Sequence, residues 1–86
     1  MMRVRISANA PLPPVKVWFP LHPESIQTIS AFKNILCTSL PAFHGLSPSS
    51  LHLAIDGFEL LDTSELSIVR DGDLIWSVTA AFFTRN

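Results

Sequence analysis

The sequence predicts an α+β domain in which one helix packs on a mixed sheet of four or five strands, with elements in the order β-β-α-β-β-β. Three observations carry that prediction. Between Thr28 and Leu40, the apolar residues Ile29, Phe32, Ile35, Leu36 and Leu40 recur at three- and four-residue steps, which aligns them on one stripe of an α-helix. Two short β-rich runs precede that segment, Met2 to Ser7 and Val15 to Leu21, and two or three more follow it from Leu51 to Thr79. No other stretch is long and regular enough for a second helix, so everything apolar elsewhere is expected to cover this one.

In chain order, Met2 to Ser7 alternates. Val4 and Ile6 face one way and Arg3 and Arg5 the other, as in a strand with one face on a core and one in water. Pro11, Pro13 and Pro14 cannot donate to a sheet ladder, so the segment they occupy is a wide turn. From Val15 the alternation resumes, with Val15, Val17 and Phe19 inward and Lys16 and Trp18 outward, until Pro20 and Pro23 end it. Ser25 or Thr28 can cap the helix, Thr28 being preferred for its regular part. Pro41 stops the helix at or before Leu40, because it lacks an N–H and disfavours helical geometry in its predecessor. A crossover loop anchored by Phe43 and Leu46 then leads to Leu51, Leu53 and Ile55, which alternate with His52 and Ala54.

Asp56-Gly57 tolerates positive φ and predicts a hairpin with the return arm Phe58 to Leu61. Asp62-Thr63-Ser64-Glu65 has the pattern of a capping box that opens a helical or 3₁₀ turn from Leu66 to Val69. Arg70 to Asp73 is a tight turn into the last strand, Leu74 to Thr79, which is apolar on both faces and is expected at the centre of the sheet. The tail from Ala80 to Asn86 has no cap or turn signal, and the domain is expected to be part of a longer protein.

With 86 residues, the chain has room for one domain, expected to occupy residues 1–86. A hydrophobic share of 48% and a charged share of 15% argue against disorder. The apolar runs all stop short of the roughly 18 residues needed to span a membrane. Behind the basic start, prolines replace the apolar core of a secretory signal. One cysteine, Cys37, allows no disulfide within the chain and suits a reducing compartment, where it reads as a small buried hydrophobe. A net charge of −1 gives no overall electrostatic reason to expect nucleic acid.

Several stretches then carry a resemblance. Thr28-Ile29-x-x-Phe32-Lys33-x-x-Leu36 is similar to the helix start of the ubiquitin-like β-grasp superfamily, and Leu53-x-Ile55-Asp56-Gly57-x-x-Leu60-x-Asp62 resembles its third-strand hairpin. Leu66 through Ile75 resembles its closing segment. Within that superfamily, Leu51 to Leu61 followed by Leu66 to Asp73 looks most like the N-terminal domain of the coilin family. The arginine-bearing first strand, joined through prolines to a tryptophan-bearing second one, adds to the likeness. The resemblance implies a non-catalytic, self-associating scaffold module of nuclear Cajal bodies, with a homo-oligomer and other nuclear-body proteins as partners and the nucleus as its location. The first loop is shorter than the coilin pattern, and the helix lacks a basic cluster near its end.

Catalytic, cofactor and metal roles find no pattern to rest on. Asp71-Gly72-Asp73 lacks the spaced oxygens and later acidic ligand of a calcium loop. His22, His44 and His52 lack ligand spacing, and Cys37 has no orienting group that would make it a nucleophile. Glu59, Asp62 and Glu65 read as solvated caps. The outward face is more informative. With Val4, Ile6, Val17, Phe19, Leu53, Ile55 and Ile75 inward, the residues Arg3, Arg5, Lys16, Trp18, His52, Ala54, Leu74, Trp76 and Val78 turn outward. In the other register of the last strand, Leu74, Trp76 and Val78 enter the core and Ser77 faces water.

The outward set predicts a protein-interaction surface of Arg3, Arg5, Trp18, Trp76 and Val78, with Asp71 and Asp73 of a neighbouring copy as acidic partners for the arginines. Three other functions are weighed against self-association, the first a ubiquitin-like adaptor domain that binds another protein. A conjugated ubiquitin-like modifier needs an exposed Gly-Gly end, and this sequence ends Thr84-Arg85-Asn86. RNA contact through Arg3, Arg5, Trp18 and Trp76 rests on local charge alone, since aromatic faces stack bases and arginines pair phosphates.

Overall fold

The computed structural model describes residues 1–80; the end of the tail, including Thr84-Arg85-Asn86, lies outside the described residues. The strands are β1 (Met2–Ala8), β2 (Val15–Leu21), β3 (His52–Ile55), β4 (Phe58–Leu60) and β5 (Leu74–Val78), and the helix α1 is Ile29–Ser39. The sheet order is β2-β1-β5-β3-β4, so the last strand is central as expected. β1 runs parallel to β5, while the β1–β2, β3–β5 and β3–β4 pairs are antiparallel.

The helix begins where its chemistry requires. Thr28 is in extended conformation and its hydroxyl accepts the Ala31 N–H at 3.2 Å, satisfying one of the unpaired donors of the first turn. Leu40 leaves helical geometry directly before Pro41. Ile29, Phe32 and Leu36 are fully buried, and Phe32 meets Phe19 of β2 with ring centroids 6.1 Å apart. Phe43 is buried from a 3₁₀ turn in the crossover, and Leu46 is half-buried beside it. The β3–β4 turn places Asp56 and Gly57 at φ 54 and 84, the left-handed pair that a two-residue hairpin needs.

Several expectations about single residues are corrected. Val17 has the inward parity but is 39% exposed, on a strand at the edge of the sheet. Ala54 has the outward parity but is fully buried, being a small side chain between its cross-strand neighbours Trp76 and Glu59. Ile55, expected in the core, is only partly buried against it. Pro20 lies inside β2 instead of ending it. Arg3 C=O accepts from Gly72 N–H and Arg5 N–H donates to Asp73 C=O, so the backbone groups of these two residues point toward β5. Their partners across β1–β2, Pro20 and Trp18, therefore point theirs to the open edge, where a missing N–H breaks no ladder bond.

Glu65 provides no side-chain cap for the 3₁₀ turn Leu66–Ile68, so the expected capping box is not formed. Asp62 is solvated, its side chain 57% exposed, and it also takes the ammonium of Lys33, whose side chain is only 4% exposed within the helix. Burying an ammonium is tolerable only with such a partner. Asp62→Asn should therefore cost about 1–3 kcal/mol, while Lys33→Met, which removes the buried charge itself, should be close to neutral. Urea unfolding of both variants checks this pair.

The register of β5 has Ile75 and Ser77 inward, the preferred of the two sequence alternatives. It buries a hydroxyl, and Ser77 Oγ has no hydrogen-bond partner among the described residues. Ser77→Ala should leave stability unchanged or raise it by about 1 kcal/mol, since it removes an unsatisfied polar atom. Chemical denaturation would detect the opposite result, a clear loss.

Candidate interaction surface

The face of the sheet turned away from the helix is built from cross-strand rows. One row runs through all five strands as Lys16, Ser7, Trp76, Ala54 and Glu59. The next reads Trp18, Arg5 and Leu74, and a third pairs Val78 with His52. All of the sequence-predicted candidates on strands therefore share this face. They are brought together because alternate residues of a strand point to the same side and β1 lies between β2 and β5.

Trp18 is 63% exposed, and the Arg5 guanidinium lies over its ring at 5.8 Å from the centroid, within cation–π range. Trp76 is half-buried and borders a groove of about 400 Å³ that Trp18 also lines, with Arg5, Ser7, Lys16 and Leu74 along it. A second depression of about 390 Å³ lies between Arg3, Trp18 and Asp71. These hollows are open and shallow, suited to a surface and not to an enclosed small molecule.

Asp71 and Asp73 serve their own chain. Asp71 Oδ1 accepts the Arg3 backbone N–H at 2.8 Å, and Asp73 Oδ2 accepts the Arg70 N–H at 2.8 Å. Arg5 Nε donates to Gly72 C=O at 3.1 Å, and Gly72 takes φ 86 in the turn between. The Arg70 to Asp73 turn is thus knit to the start of β1, and it fixes where the Arg5 side chain leaves the sheet.

Sequence reasoning missed Glu59 as part of this face. Its signal was the alternation of the hairpin, obscured because β4 has only three residues. Glu59, whose Oε2 sits 2.7 Å from His52 Nδ1 on the neighbouring strand, gives the β3–β4 end of the face a carboxylate, while the β1–β2 end carries Arg3, Arg5 and Lys16.

Elsewhere, Cys37 is buried in the helix and burial pushes its thiol pKa up, the opposite direction from the shift that activates a thiol. Among the described residues no three metal-ligating side chains gather, and no helix is long and apolar enough to cross a membrane.

No protein-family model matches the sequence, and no curated protein matches it. Solved structures do. Ubiquitin from Caldiarchaeum subterraneum superposes with a TM-score of 0.67 at 26% identity, over 91% of this chain and 91% of that one. A crystal structure of ATBAG1 in complex with HSP70 contains a chain that superposes with a TM-score of 0.69 at 21% identity, over 92% of this chain and 40% of that one. This chain thus spans well under half of that larger neighbour. One helix on a five-stranded mixed sheet of this order is the ubiquitin-like β-grasp fold.

Proposed function

We propose that this ubiquitin-like β-grasp domain is a non-catalytic protein-interaction module, and that its partner is another copy of itself, bound through the sheet face carrying Arg3, Arg5, Trp18, Trp76 and Val78. The observation that carries the reading is the exposed indole of Trp18 held under Arg5 beside the half-buried Trp76. Tryptophan and arginine in contiguous apolar surface are the residue types that dominate protein interfaces, and a monomer gains nothing from leaving them in water. The ATBAG1 chain, 40% of which this fold covers, was solved as a complex with HSP70, so the fold occurs in a chain that has a protein partner.

The finer reading is a coilin-like scaffold module that self-associates in a nuclear body. It rests on the residues of resemblance in the hairpin and closing segment together with this face, and it carries a nuclear location and nuclear-body partners with it. Two measurements test the two levels. Molecular mass by sedimentation should rise with concentration in the absence of RNA, metal or any other ligand; a strict monomer at millimolar concentration would overturn self-association. A fluorescently tagged chain should concentrate in Cajal bodies, and a uniform cellular distribution would overturn the coilin-like role.

A further inference from the structure

The row that crosses all five strands is polar in the electrical sense. Lys16 stands at the β2 end, Glu59 at the β4 end, and Trp76 in the middle, flanked by the small residues Ser7 and Ala54. With neighbouring strands about 4.8 Å apart, the two charged ends are about 19 Å from each other. One row along, Arg5 lies beside Leu74 on the same β1 side. Three of the chain's six basic residues, Arg3, Arg5 and Lys16, stand on this face at its β1–β2 end, so its positive half is concentrated there.

We infer that two copies of this face pack against each other across a two-fold axis that runs along the strands. This rests on the self-association proposed above and specifies its geometry. Rotation about such an axis reverses the row left to right while keeping its level, so Lys16 of each copy meets Glu59 of the other and Trp76 meets Trp76. Ser7 comes opposite Ala54; both are buried within their own sheet, so the contact is made by the side chains around them. A face-to-face pair about a two-fold axis across the strands would bring Lys16 onto Lys16 and Glu59 onto Glu59, so charge selects the axis along the strands. Glu59 retains its His52 contact and still has acceptor capacity for an ammonium. Asp71 and Asp73, engaged within their own chain, are not needed.

The footprint limits the strength. Five strands by about five residues cover on the order of 400 Å² on each copy, about half of what a standard stable interface buries per partner. The pair is therefore a transient dimer that forms at high local concentration, and its isologous contact closes at two copies.

Charge exchange tests this with sedimentation equilibrium on the whole chain. Lys16→Glu alone and Glu59→Lys alone should each weaken dimerisation at least about tenfold, because each change acts at two symmetric contacts. The double variant K16E/E59K should regain dimerisation, and an equimolar mixture of the two single variants should form a mixed pair. Circular dichroism confirms folding of each, and recovery in the double variant excludes misfolding as the cause of the loss. A parent mass that plateaus at two chains together with this rescue supports the inference. Self-association that is indifferent to both charges, or that grows past two chains, would overturn the two-fold geometry while leaving self-association standing. Absence of any association would overturn the self-association reading and this geometry with it.

Discussion

Phe32→Ala is expected to destabilise the domain by about 3–5 kcal/mol, the range for removing a large buried aromatic side chain. Phe32 is fully buried at the centre of the single described helix and packs on Phe19 of the edge strand. Its removal opens a cavity between helix and sheet that neither can close, because Ile29 and Leu36 are already packed on either side. Domains of this size have a total stability of about 5–15 kcal/mol, so the variant should be marginal at room temperature. At about 4–8 °C per kcal/mol, the thermal midpoint should fall by more than about 12 °C. Differential scanning calorimetry measures it, and an unchanged midpoint would mean that the helix does not hold the sheet through this ring.

The double variant Arg5→Glu with Trp76→Ser should remain folded and lose self-association. Neither side chain belongs to the buried core, so the helix and its contacts are untouched. Arg5 contributes its ring contact with Trp18 and one bond to Gly72 C=O, exposed interactions worth about 1 kcal/mol or less each. Association should suffer far more. Truncating a central interface tryptophan commonly costs about 2 kcal/mol or more, a factor of about 30, and reversing the arginine adds repulsion wherever it met an acidic group. Sedimentation velocity at a concentration where the parent associates should show a monomer. A folded variant that assembles like the parent would place the interface on another surface, the exposed Phe58 and Leu61 of the β4 end being the next to test.

Local chemistry explains the expectations that held. Thr28 before an apolar stripe, Pro41 after it and Asp56-Gly57 between two alternating runs each act within a few residues, so helix, stop and hairpin are readable one segment at a time. The clustering of Arg5, Trp18 and Trp76 on one face was readable as well, since strand parity combined with the ubiquitin-like order was enough to predict it.

Other features depend on which segments become neighbours. Whether Val17 is covered depends on β2 lying at the edge of the sheet, and whether Ala54 is buried depends on the sizes of Trp76 and Glu59 beside it. Lys33 and Asp62 are 29 positions apart, and their pairing exists only because the chain after β4 passes the helix. Asp71 and Asp73 read as free charges in the sequence, but the turn folds them back onto Arg3 and Arg70. The alternation of β5 allowed either register, because a strand apolar on both faces carries no preference of its own. Pairing with β1 and β3 decided it, and with it the exposure of Trp76, at the cost of a buried Ser77 hydroxyl. Sequence thus determined the elements and their faces through short-range periodicity and capping, whereas only the tertiary contacts decided edges, ion pairs and the charge polarity of the outer face, which arise between residues far apart in the chain.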